Sequence, residues 1–154
     1  MKRIALVGCG KSKQRPDHNG WCEARDLYTG DLFLKRRKYV ESRGIEWWIL
    51  SAWYGVTKPT TPVRWYEKSL QTVSEIERAE WHLYTAAAVV GIWCEEMNPP
   101  KLSGVVVELH AGRAYCEPLA TFLRQVGMTV ETPVAGLGIG QQLQYYAEQM
   151  KKVA

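Results

Sequence analysis

Ile4-Ala-Leu-Val-Gly-Cys-Gly-Lys-Ser-Lys13 decides how this chain folds. Ile4 to Val7 is an unbroken apolar run, partly β-branched, that stops at Gly8. A run of this kind reads as a strand buried on both faces, as strands of parallel sheets are. The chain then turns polar at once, through Cys9-Gly-Lys-Ser-Lys13 and on to Asn19-Gly20. A buried strand that empties into a loop of glycines and lysines opens an α/β unit, with that loop at the strand's carboxyl end.

Outward from this start the same alternation repeats. Leu32, Phe33, Arg36, Tyr39 and Val40 recur at helical spacing between Asp31 and Ser42, with Gly44 placed to stop the helix. Glu46-Trp-Trp-Ile-Leu50 reads as a second buried strand, and Ser51 to Pro62 as loop, marked by Gly55, Pro59 and Pro62. Ser74 and Glu77 make a capping box. The spacing that follows predicts a helix with Ile76, Ala79, Leu83, Ala86, Ala87, Val90 and Met97 on its inward face, ended by Asn98-Pro-Pro100. Val105-Val-Val-Glu-Leu109 is a third strand. A helix from Arg113 to Val126 follows, with Tyr115, Leu119, Phe122 and Val126 inward and Gly127 as its stop. Thr129 to Pro133 is a short edge strand, and Gly140 to Lys152 a terminal helix. The pattern predicts one α/β domain over residues 1–154, three layers deep, with a small, mostly parallel sheet flanked by helices.

The composition suits that size. Of 154 residues, 46% are hydrophobic and 23% charged, which excludes a disordered chain. The longest apolar stretch, around Ala86 to Trp93, is far short of the ~20 residues that cross a bilayer, so no membrane span is expected. Met1-Lys-Arg leads into only a short apolar run, so no secretory leader is expected either. That points to the cytoplasm, with Cys9, Cys22, Cys94 and Cys116 as reduced thiols. No two cysteines have C-x-x-C spacing and the three histidines are scattered, so neither a metal nor a cofactor is expected.

The charge permits an anionic partner without requiring one, and the aromatics suit a Trp-rich core more often than a stacking surface. The net charge is +4, with Lys2, Arg3, Lys11, Lys13 and Arg15 crowding the start and Lys35-Arg-Arg-Lys38 forming a run. Seven Trp and eight Tyr are many for this length, and aromatic faces stack bases. A charge of +4 is small for tight duplex binding, which rests on many phosphate contacts, and suits a small nucleotide or one flipped nucleotide better.

Three strand ends gather the residues that carry chemistry. Cys9-Gly-Lys-Ser-Lys13 offers Lys11, Ser12 and Lys13 as phosphate donors without being a Walker motif. Leu50-Ser-Ala-Trp-Tyr-Gly55 and Pro62-Val-Arg-Trp-Tyr-Glu67 bring Ser51, Trp53, Tyr54, Arg64, Trp65, Tyr66 and Glu67 into one loop region. Its rings can stack a base, and Glu67 can act as general acid or base, though a lone loop carboxylate is more often simply solvated. Glu108-Leu-His-Ala-Gly-Arg-Ala-Tyr115 places His110 past a strand and Arg113 at a helix start. There His110 is either an acid–base catalyst or a hydrogen-bonded structural residue. A fourth segment, Gly136-Leu-Gly-Ile-Gly140-Gln-Gln, opens the last helix but carries Gln141 where a dinucleotide fingerprint needs glycine.

In this order the loops resemble the YaaA-like family and its shorter relatives. The matching stretches are Cys9-Gly-Lys-Ser-Lys13, Leu27-Tyr-Thr-Gly-Asp31, Leu50-Ser-Ala-Trp-Tyr-Gly55 with Pro59 and Tyr66, Ala111-Gly-Arg-Ala-Tyr115 and Pro133-Val-Ala-Gly-Leu-Gly-Ile-Gly140-Gln-Gln-Leu143. The resemblance implies an α/β fold with a basic cleft, association with DNA, and distant kinship to uracil-DNA-glycosylase-like domains. The G-x-D-P-Y and H-P-S-type motifs of uracil-DNA glycosylases are absent from the chain.

Two functions are expected from different classes. One is an enzyme, an N-glycosidase or DNA glycosylase acting on a modified base, with Glu67 and His110 as catalytic residues. The other is a nucleotide- or DNA-binding protein without catalysis, in which the basic run Lys35 to Lys38 matters more. In both, Cys9, Lys11, Ser12, Lys13, Tyr28, Ser51, Trp53, Tyr54, Tyr66, Arg113 and Tyr115 line the substrate site. Lys11, Tyr28, Ser51, Tyr54 and His110 are expected to converge at the carboxyl edge of the sheet.

Overall fold

Strand β1 (Lys2–Gly8) is the middle of a five-stranded sheet in a computed structural model that describes residues 1–15, 20–96 and 101–154. Chain order runs β1, β2 (Cys22–Glu23), α1 (Ala24–Leu27), α2 (Asp31–Ser42), β3 (Glu46–Ser51), β4 (Gly55–Thr57), β5 (Pro62–Val63) and α3 (Glu75–Glu96). A 3-10 turn at Leu102–Gly104 then leads to β6 (Val105–His110), α4 (Arg113–Cys116), α5 (Leu119–Gln125), β7 (Thr129–Glu131) and α6 (Ile139–Val153). The sheet order is β4-β3-β1-β6-β7. β1 pairs in parallel with β3 and β6, β6 pairs in parallel with β7, and only β4 runs antiparallel. The α/β class with a mostly parallel sheet is as the sequence predicts.

The apolar runs form the central strands because both faces are covered. Ile4, Leu6 and Trp48 meet Val89, Ile92 and Trp93 of α3 on one face. On the other, Tyr39 of α2 and Tyr146 of α6 close over His110 with ring centroids 5.6 and 5.8 Å away. α5 packs beside α3, so β1 leaves through a helix on one face and β6 through a helix on the other. The connections after β1 and β6 therefore leave toward opposite faces of the sheet, the switch point at which open α/β sheets bind ligands.

Several elements differ from the sequence reading. α3 is capped by Ser74, whose Oγ accepts the Glu77 N–H at 3.1 Å, but its inward face is offset from the predicted one. Trp81, His82, Thr85, Ala86, Val89 and Trp93 are buried, whereas Ile76 and Leu83 are exposed. From Trp81 to Cys94 this helix has no charged residue on any face, so its periodicity there admits more than one stripe, and the large indoles take the core. Met97, the Asn98-Pro-Pro100 stop and Asn19 lie outside the described residues. The predicted helix from Arg113 to Val126 is two helices, because Pro118 has no N–H to continue the ladder. Val126 is exposed.

The region read as loop, Ser51 to Pro62, contains β4, which folds back on β3 in a hairpin. Gly55 makes that turn with φ of +68°, a conformation that strains any residue with a Cβ. β5 pairs antiparallel with β2, an element too short to show in the periodicity. No helix of the described residues is long and apolar enough to cross a membrane.

Candidate functional site

Five loops meet at the carboxyl edge of β1, β3 and β6, and hydroxyls hold them together. Ser51, last in β3, is buried; its Oγ accepts the Tyr54 N–H at 3.0 Å and tightens the hairpin turn. The same Oγ lies 2.9 Å from Tyr66 Oη, which lies 2.9 Å from Tyr28 Oη. Trp81 of α3 donates its indole N–H to the Ser51 carbonyl at 2.9 Å and meets the Tyr115 ring edge-on at 5.5 Å. Tyr115 Oη in turn is 3.4 Å from Cys9 Sγ, joining the loops after β6 and β1. Burial pushes the phenols of Tyr28, Tyr66 and Tyr115 well above their ordinary pKa, so all three are neutral hydroxyls near neutral pH.

Above this floor the surface is aromatic and cationic. Trp53 stacks on Tyr66 with centroids 6.2 Å apart and planes 27° apart. The Lys13 ammonium sits 4.6 Å from the Tyr66 ring, and that of Lys68 5.7 Å from the Trp53 ring. Burial lowers the Lys13 pKa, against which the neighbouring Cys9 and Glu67 pull upward. The loop that carries Lys13 is anchored by an isolated bridge between Lys13 and Tyr28 and by the Gln14 N–H, which donates to the Leu27 carbonyl at 2.8 Å. Tyr54 Oη accepts the Arg64 N–H at 2.9 Å and so fixes the loop that bears Tyr66 and Glu67.

The structure thus brings Cys9, Lys13, Tyr28, Ser51, Trp53, Tyr54, Tyr66, Glu67 and Tyr115 together, but in two tiers. Cys9, Tyr28, Ser51, Tyr66 and Tyr115 are buried floor, spent on one another, while Lys13, Trp53, Tyr54 and Glu67 face outward. Lys11 and Ser12 are exposed beside this group, and the Ser12 carbonyl accepts the Thr29 N–H at 3.0 Å. Arg113 is exposed and lines a separate cavity of about 500 Å³ together with Ala111, Val134 and Leu137.

His110 does not converge with them. It is 0% exposed, with Nε2 2.9 Å from Glu108 Oε2 and Nδ1 2.9 Å from Tyr146 Oη. Glu108 also accepts from Arg43 at 2.6 and 2.8 Å and from Arg3 at 2.5 Å. Burial pushes the Glu108 carboxyl up, but hydrogen bonds from His110, Arg43 and Arg3 outweigh it and hold it far below the usual range. With that carboxylate ionised, His110 carries its proton on Nε2, and burial keeps it neutral by lowering its pKa. Strand alternation turns Glu108 and His110 toward α2 and α6 rather than out of the sheet edge, which corrects the reading of His110 as a catalytic residue in the cleft. The basic run is divided likewise: Arg36 is buried, with Nη2 2.7 Å from Gln142 Oε1, and Arg37 pairs with Glu41 and Asp26.

Residues 4–148 match a family of unknown function, DUF6884. The chain belongs to that family. No curated protein and no solved structure matches it.

Sequence reasoning missed His82, which is buried in α3. Its Nδ1 accepts the Leu119 N–H at 3.1 Å, so Nε2 carries the proton and donates to the Ala114 carbonyl at 2.9 Å. It thereby ties α4 to α5 beneath Tyr115. Lys68 and Trp81 were missed too; a solitary lysine and a core indole have no motif to announce them. Among the described residues no group of three or more His, Cys, Asp and Glu gathers as metal ligands do.

Proposed function

We propose that this member of DUF6884 is a nucleotide-binding protein, seating a base against Trp53 and a phosphate at Lys13. The observation that carries it is the stacked Trp53–Tyr66 pair bracketed by the Lys13 ammonium and by that of Lys68, which also pairs with Glu77, at the carboxyl edge of the sheet. A planar face supplies stacking for any base, and a half-buried ammonium is a strong partner for phosphate because its own hydration is already reduced. The hydroxyl floor holds both in place before a ligand arrives, which lowers the ordering cost of binding.

Calorimetric titration with mononucleotides tests this. Lys13→Ala is expected to weaken binding about tenfold or more, the scale of one charge-assisted contact. Unchanged affinity in Lys13→Ala would sink the assignment.

A second reading, cleavage of an N-glycosidic bond, is favoured by Glu67, the carboxylate whose charge acts on Lys13 at the mouth of the site. It needs no role for His110. It would show as base release from nucleotides or modified DNA, reduced about 10²-fold or more in Glu67→Gln.

A further inference from the structure

We infer that the nucleotide site continues across the surface as a track for one single strand of nucleic acid, several nucleotides long. This rests on the nucleotide-binding reading above. The seven tryptophans divide sharply. Trp47, Trp48, Trp81 and Trp93 are buried, whereas Trp21, Trp53 and Trp65 are 49%, 62% and 39% exposed. All three exposed indoles belong to one neighbourhood. β2 and β5 pair through Cys22–Val63 and Glu23–Pro62, so residues 21 and 64 adjoin across that ribbon. Trp65 and Tyr66 follow directly in the chain, and Trp53 stacks on Tyr66.

Each ring is accompanied by a cation. The Arg64 guanidinium lies 4.4 Å from the Trp21 ring, that of Arg15 4.9 Å from Trp65, and Lys13 and Lys68 attend Tyr66 and Trp53, Lys68 while also pairing with Glu77 at 2.5 Å. Rings alternating with cations match a single strand, in which bases alternate with phosphates. An exposed cation–π pair is worth only about 0.5–1 kcal/mol, so a cation can shift from ring to phosphate and free the ring face for a base. Exposed indoles are otherwise costly in water, and three gathered on segments pinned by main-chain hydrogen bonds form a pre-built surface. A duplex keeps its bases stacked inside and offers these rings nothing. A proline-rich peptide would use the rings but not the four cations.

Fluorescence anisotropy with labelled ten-nucleotide strands tests the track, with thymidine monophosphate, a duplex of the same length and a proline-rich peptide as competitors. DNA and RNA strands are run as separate arms. The strand is expected to bind at least tenfold more tightly than the mononucleotide, and Trp21→Ala and Trp65→Ala are each expected to weaken it roughly 5- to 100-fold. Both variants should leave mononucleotide affinity unchanged, and Trp65→Phe should restore most of the loss, while Lys13→Ala weakens both ligands. A strand that binds no more tightly than the mononucleotide, or unchanged strand binding in the Trp21→Ala/Trp65→Ala double variant, overturns the track and leaves the nucleotide site standing. Equal competition by duplex, or displacement by the peptide alone, overturns it as well. If neither strand nor mononucleotide binds, both readings fall.

Discussion

Lys13 is where charge and burial oppose each other most directly in the site. Its ammonium is half-buried over Tyr66, and desolvation lowers its pKa from the ordinary 10.5. A bound phosphate favours the charged form, so affinity should be level while free Lys13 is protonated. It should fall as pH rises through the lowered pKa, before the ordinary lysine value is reached. Titrations of a mononucleotide from about pH 7 to about pH 10 check this, and Lys13→Arg, which stays charged throughout, should abolish the alkaline loss. A wild-type profile that is flat to the alkaline limit would take Lys13 out of the phosphate contact.

At the scale of elements the site depends on how closely the ends of β1 and β6 approach. A Cβ built on Gly8 would lie 2.7 Å from Ala111 Cβ, inside van der Waals contact, and Ala111 is held by the strand it follows. Neither strand can yield without breaking its ladder. Gly8→Ala is therefore expected to cost about 1–3 kcal/mol of stability in denaturant unfolding, with weakened nucleotide binding. A variant as stable as wild type would mean that the two loops are not fixed against each other. Periodicity made most of this frame legible: the runs at Ile4, Glu46 and Val105 are the three central strands, and the polar loops after them meet at one edge of the sheet. What it left hidden has physical causes. The stripe on α3 is ambiguous because alanines and valines surround the helix, and core packing of Trp81 and Trp93 resolves it. β2 and β5 are two residues each, below any period. His110 looked like a cleft residue because chain position gives the strand end but not which way the side chain turns, nor that Glu108 and Tyr146 wait there to take both ring nitrogens.

Across the whole molecule, acid should loosen the fold through its buried histidines. Burial lowers the pKa of both His110 and His82 below the ordinary 6.5. A lowered histidine favours the fold when neutral. Its contribution is complete above the unfolded value and is lost as pH falls from about 6.5 toward the folded pKa. Unfolding free energy is thus expected to decline through that window, before the Glu108 carboxylate is protonated, since its own pKa lies far below the carboxylate range. Denaturant midpoints measured at successive pH values check this, and no decline between about pH 7 and about pH 5 would contradict the buried neutral state. The terminal helix feels this first. α6 fully buries only Gln142 and Tyr146, and both are committed to hydrogen bonds, with Arg36 and His110. Such bonds are directional, so they hold at full strength in register and vanish together once the helix shifts, unlike apolar surface, which yields by degrees. α6 therefore behaves as a latch: in amide hydrogen exchange its residues should open as one cooperative unit, ahead of the sheet they cover, and protonating His110 should release it sooner.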